Sequence, residues 1–225
     1  MNRSMSLYHH AVKEFHERYK EMILWEDENV LIISKPAYIP SAGDDVYPEG
    51  IHELLEKRTR QKLELMHRLD KDTTGVLLLV KNDETYRHFF RANWRKNARK
   101  HYLAIVSGRW IMVDTQTCLK LNVDGRKVLV DPNGRVSRTI VNTVEIFESS
   151  CLMSIQILDG TTHIIRVTAS HFGHPILGDR LYGDGFSELE SPNMLLHAHR
   201  LCLAMPDGNN LEIEAPVPNY WESFI

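Results

Sequence analysis

Along this 225-residue chain, short apolar runs and helical stripes give way to a strand-rich second half. Leu7 to Ile23 reads as a helix, because Val12, Phe15, Tyr19, Met22 and Ile23 fall near helical spacing. Val30 to Ser34 is a continuous apolar run stopped by Lys35-Pro36, which predicts a buried strand leading into a loop. Ala37 to Gly50 is rich in Pro, Gly and Asp and is expected to be exposed. Ile51 to Leu63 returns to helix, with Ile51, Leu54 and Leu55 as its apolar stripe. A polar turn, Lys71 to Gly75, precedes the strand Val76 to Val80, and Asp83 caps a helix to about Arg95. From His101 onward the pattern is strand-like at Tyr102–Val106, Thr139–Phe147, Leu152–Leu158, His163–Val167, Leu195–Ala204 and Leu211–Ala215. Pro132-Asn133-Gly134 and Asp207-Gly208 supply turns between them. Strands outnumber helices without regular βαβ alternation. That predicts one α+β domain with a mixed, mainly antiparallel central sheet flanked by helices and loops. Residues 1–24 form a helical extension to a main domain over 25–225.

Composition changes this picture little. The chain is 43% hydrophobic and 25% charged, ordinary for a globular protein able to bury its own core. A net charge of −3 means that any nucleic-acid partner must meet a local basic patch. Cys118, Cys151 and Cys202 are widely spaced in apolar contexts, which suggests a reducing compartment and core packing. The chain opens with no signal-peptide pattern and has no apolar run of spanning length, so a cytoplasmic location without membrane contact is expected.

The densest chemistry is Met66-His67-Arg68-Leu69-Asp70-Lys71-Asp72-Thr73-Thr74-Gly75. Cations either side of Asp70 can keep its carboxylate ionised. Taken alone, the same residues read as an Asp and two Thr in a hydrogen-bonded turn.

The wider context decides between these. HRLDKDTTG ahead of an apolar strand resembles the signature of RluA-type pseudouridine synthases. Further blocks resemble that family in its order: Ile33-Ser34-Lys35-Pro36, then Lys100 to Gly108 with Tyr102 at its centre, and Gly160 to Val167. Gly173 to Tyr182 and Leu195-Leu196-His197-Ala198 follow. The similarity covers about Val30 to Pro216. It implies an RNA uridine isomerase without a cofactor, lacking the S4-type domain often found in the family. A structured loop of rRNA or tRNA is the expected partner, and no obligate protein partner is evident.

The resemblance also implies roles. Asp70 aligns with the catalytic aspartate, Tyr102 with the tyrosine beside the uracil, and Arg166 with the basic residue that pairs with the aspartate. Arg68 aligns with an arginine expected to enter the RNA where the target nucleotide leaves the stack. The chemistry fits: a fixed carboxylate facing the ribose stabilises the electron-poor sugar formed when the C–N bond breaks. A carboxylate in a dry pocket requires a partner such as Arg166. Flipping a nucleotide costs a few kcal/mol, which stacking and gap-filling side chains offset. Two positions depart from the family pattern: Thr161 stands where Arg is usual and Ile164 where Gln is usual.

Arg87, Arg91, Arg95 and Arg99 recur every four residues and line one side of a helix if it continues that far, with Lys96 and Lys100 adjoining. They read either as a phosphate-binding strip or as a solvated face. His163, His171, His174, His197 and His199 lack a ligand signature and read as structural, with no metal site expected. The rival function is a catalytically inactive RNA-binding protein on the same fold, against which Asp70, Tyr102 and Arg166 stand together.

Overall fold

The computed structural model describes residues 3–183, 185 and 191–225. The α+β domain is built from two compact units that interleave in sequence. The first comprises Met1–Ala98 and Ala198–Val217, the second Arg99–His197 and Pro218–Ile225. Every strand pair with a described register is antiparallel. Among the described residues, no helix is long and apolar enough to cross a membrane.

The first unit opens with α1 (Arg3–Arg18), a 3-10 turn (Tyr19–Met22) and β1 (Ile23–Glu26), so the predicted helix stops short of Ile23. β2 (Val30–Lys35), α2 (Ile51–Thr59), β3 (Glu64–Leu65) and β4 (Thr74–Val80) follow, then α3 (Asp83–Arg91) and α4 (Trp94–Asn97). β10 (Leu196–Ala204), most of it in this unit, and β11 (Asn210–Glu214) complete it. β1, β2, β4 and β10 are successive neighbours; β3 pairs with β4 and β11 with β10. All of β4 is buried, and β2 is buried except at Ser34. Successive strand side chains point to opposite faces, so both faces are covered, and that accounts for the uninterrupted apolar runs. Val30, Ile32, Val76, Leu78 and Val80 pack with Phe89, Trp94 and Leu201 in one core cluster. Gly75 sits at φ 108°, and a Cβ there would collide with the backbone of Ala198. No other residue fits.

Four further expectations change in this unit. α2 ends at Thr59 because Arg60 turns left-handed (φ 55°). The loop after Pro36 is not generally exposed: Ile39, Ser41 and Gly50 are buried. Asn82, not Asp83, caps α3, its side chain accepting from Thr85 N at 2.8 Å. That helix then breaks at Asn93 (φ 49°), so Arg87 and Arg91 lie on α3 while Arg95 lies on the separate α4. The four-residue arginine spacing does not follow one helix.

The second unit contains β5 (Arg99–Ser107), β6 (Thr115–Asp124), β7 (Lys127–Val130), β8 (Arg135–Ile146) and β9 (Ser150–Ile157). Its sheet order is β5-β9-β8-β6-β7. β6 buries alternate residues, Thr117, Leu119 and Leu121, so it is covered on one face only. The same alternation turns Cys118 outward; it is exposed, while Cys151 is buried and Cys202 intermediate. The expected strand His163–Val167 is instead α5 (Ile164–His171). The β-branched Ile-Ile-Arg-Val run favours strand locally. His163 in the left-handed region (φ 56°) starts a helix whose first six residues are all buried, and packing decides the outcome.

Candidate active site

In the first unit, the Asp70 segment is fixed through its main chain. Thr73 N donates to Asp70 O at 3.0 Å, closing a turn. The buried Ser41 hydroxyl donates to Leu69 O and accepts from Leu69 N, both at 2.8 Å. The fully buried Lys35 ammonium donates to the carbonyls of Pro36 (2.8 Å), Ile39 (2.7 Å) and Lys71 (3.0 Å). The residue before Asp70 is thus tied to the loop that follows β2, and the residue after it to the end of β2. Burial pushes Lys35 down to about 7, opposed by the charges of Asp72 and Asp70. Asp70 itself is half-buried and Arg68 is exposed. His67 stays with the core: its Nε2 accepts from Leu78 N at 3.1 Å, and its ring lies 5.7 Å from that of Trp94.

The first unit also carries the basic strip. Arg87 and Arg91 are exposed on α3, and Arg95 and Lys96 on α4. Arg87 makes a long contact with Asp83, at 3.9 Å. Trp94, which opens α4, is buried in the core cluster. Between the arginines, Tyr86 and Phe90 stand one helical turn apart and exposed, at 40% and 75%.

In the second unit, Tyr102 lies buried on β5 opposite Ile155, with Lys100 partly buried at the start of that strand. Arg166 projects from α5 and is held by its own guanidinium. Its Nε and one terminal nitrogen each donate to Asp179 at 2.7 Å, a two-pronged pair with the carboxylate fully buried. Burial works to raise the Asp179 carboxyl, but Arg166 and the N–H groups of Leu181 and Tyr182 outweigh it and hold it low. The guanidinium also lies 5.1 Å from the centre of the Tyr182 ring. Tyr182 Oη accepts from Val128 N at 2.7 Å and bonds His163 Nδ1 at 2.8 Å. The two departures have local explanations. Thr161 bonds the Ser137 hydroxyl at 2.6 Å, and Ile164 is buried at the start of α5.

The sequence-predicted residues therefore fall into two sets. Arg68, Asp70, Arg87, Arg91 and Arg95 belong to the first unit, and Lys100, Tyr102 and Arg166 to the second. Ser41, Lys35 and Asp179 hold these residues and were not anticipated in that role. Lys35 and Asp179 lie inside the motif blocks, so a signal for them existed. Ser41 lies in none.

The chain was compared with known proteins. The family model for RNA pseudouridylate synthase matches residues 29–171. The chain is 35% identical over 217 residues to ribosomal large subunit pseudouridine synthase C of Buchnera aphidicola subsp. Acyrthosiphon pisum (strain APS), covering 90% of this chain and 69% of that one. It is 34% identical over 217 residues to the protein of the same name from Vibrio parahaemolyticus, covering 92% and 69%. Among solved structures, human RNA pseudouridylate synthase domain containing 4 superposes with a TM-score of 0.71 at 23% identity, covering 96% of this chain and 95% of that one. The human domain containing 1 protein gives 0.73 at 22% identity, covering 86% and 82%. At these identities the structural likeness speaks to the fold.

Proposed function

The chain belongs to the RNA pseudouridylate synthase family, an isomerase of RNA uridine, and from that premise we propose that Asp70 is its catalytic carboxylate, acting on a uridine of ribosomal RNA. The observation that carries this is the clamp on the main chain at Leu69 and Lys71, which fixes the position of a half-buried Asp70 from both sides. A preorganised charge does more for a transition state than one that must reorient.

In the reaction the bond from uracil nitrogen to ribose breaks, the base turns, and a bond from uracil carbon to the same ribose carbon forms as that base carbon loses its proton. Atoms are conserved, and no redox or group-transfer partner is required. A carboxylate has two routes here, attack on the sugar or removal of a proton from it, and either needs the ionised form. Tyr102 stacks on the uracil, Arg166 provides the compensating positive charge, and Arg68 fills the place the nucleotide leaves.

Substrate RNA is held by Arg87, Arg91, Arg95 and Lys100 through its phosphates. The exposed Tyr86 and Phe90 beside two of these arginines support that assignment, since aromatic faces stack on unpaired bases. The relatives named for the large ribosomal subunit favour a structured rRNA loop over tRNA, and with it a cytoplasmic site of action.

The test is to map pseudouridines in rRNA and tRNA from cells lacking this protein, complemented with wild type or Asp70→Ala. Loss of one or a few rRNA sites, restored by the wild type alone, supports the assignment. Restoration by Asp70→Ala removes Asp70 from the chemistry, and sites lost only from tRNA would move the substrate.

A further inference from the structure

The N-terminal helix has no part in the chemistry above, yet its contacts end beside Asp70. α1 buries Tyr8, Ala11 and Phe15. The Tyr8 hydroxyl donates to Glu49 O at 2.9 Å and accepts from Glu49 N at 3.3 Å, taking up both main-chain groups of one loop residue. Two residues earlier in that loop, the Tyr47 ring lies 5.2 Å from the Tyr8 ring, and its hydroxyl bonds the Ser4 hydroxyl at 2.7 Å. Tyr47 also carries Lys71, whose Nζ lies 5.4 Å from its ring centre and 5.5 Å from that of Tyr38. Lys71 is the next residue after Asp70, and it pairs with Asp72.

The loop between is stiff enough to transmit position. Asp44 Oδ1 accepts from Val46 N and Tyr47 N, and Asp44 N donates to Tyr47 O, closing a small turn under Tyr47. At its base the Glu53 carboxylate accepts from Gly43 N (2.9 Å) and Gly50 N (2.7 Å). The same loop supplies Ser41, which bonds Leu69, and the Ile39 carbonyl, which holds the Lys35 ammonium that bonds Lys71 O.

We propose that α1 is a brace for the catalytic loop, with Tyr8 and Tyr47 as positioning residues that set Asp70 through Lys71. This rests on the assignment of Asp70 above. Reaction geometry is steep in distance, a misplacement of about 1 Å costing on the order of 10²-fold in rate. RNA affinity, held by the exposed cations, is independent of it. The brace therefore acts on turnover and not on binding.

The test uses the full chain and large-subunit rRNA purified from cells lacking it, with single-turnover pseudouridine formation and RNA affinity measured together well below the unfolding transition. Tyr47→Leu removes the ring under Lys71, and Lys71→Met removes the same contact from a partly exposed position, where loss of folding is not a concern. Each is expected to slow formation about tenfold with affinity changed less than about twofold. The double variant is expected to be less slow than the product of the two single losses, because the Lys71–Tyr47 contact is common to both. Tyr47→Phe keeps the ring and is expected to recover most of the rate. A wild-type rate in Lys71→Met, additive losses in the double variant, or equal losses in rate and affinity would each overturn the brace. A wild type that forms no pseudouridine in this rRNA, or an Asp70→Ala that does, contradicts the function assignment instead.

Discussion

Asp70 and Arg166 are fixed in opposite ways. Around Asp70 the protein grips the main chain: Ser41 takes both main-chain groups of Leu69, and Lys35 takes the carbonyl of Lys71. Arg166 is gripped by its charged head, which is locked to the buried Asp179. A carboxylate with the role proposed for Asp70 is well located by clamps on its neighbours' main chain, which fix its position in advance. A group whose task is to supply a fixed positive charge gains from a rigid fork, at the cost of burying two ions together. The two locks should therefore fail differently.

The largest effect is expected where the side-chain lock is cut. Asp179→Ala leaves a guanidinium buried without its carboxylate, which costs about 3–5 kcal/mol, seen as a lowered denaturant midpoint. If Asp179→Ala is as stable as wild type, the ion pair does not hold α5. Cutting the main-chain lock is milder. Ser41→Ala strands the N–H and carbonyl of Leu69, at a cost of about 1–3 kcal/mol. Its turnover is expected to fall while RNA affinity stays near wild type. A proportionate loss of both would dissolve the contrast.

A separate effect distinguishes the locks by pH. Burial brings Lys35 from its ordinary 10.5 to about 7 in the folded protein. Between those values the unfolded chain binds the extra proton, so folding stability rises with pH across the window. Melting temperatures of wild type relative to Lys35→Met should therefore improve from pH 7 towards pH 10. A flat difference would mean that Lys35 keeps its proton when folded. Asp179 has the same sign in a far more acidic window. Its carboxyl lies below 3.8, so the stability it contributes is complete above that value and is lost as pH falls through the lower folded one.

What the sequence revealed follows the range of the interactions involved. β2 and β4 are legible because burial on both faces writes a continuous apolar run, and the HRLDKDTTG turn because its residues are consecutive. β6 and β7 escaped notice: β6 interleaves Gln, Cys and Lys on an outward face with its buried Thr and Leu. α5 is misread because Ile164, Ile165 and Val167 prefer strands, and only packing around Arg166 overrides them. The break at Asn93 carries no proline or glycine to announce it. The bond from Ser41 to Leu69 spans 28 positions, and nothing local to either residue marks it. Arg68 is exposed, and the arginines after it divide between two helices.

The most direct measurement is single-turnover pseudouridine formation by Asp70→Asn on large-subunit rRNA from cells lacking the protein, with RNA affinity and melting temperature taken on the same samples. The account predicts a rate lower by about 10³-fold or more with affinity and melting temperature close to wild type, because the main-chain clamp survives when only the charge is removed. A rate near wild type, or a loss of rate matched by a loss of folding, would contradict it.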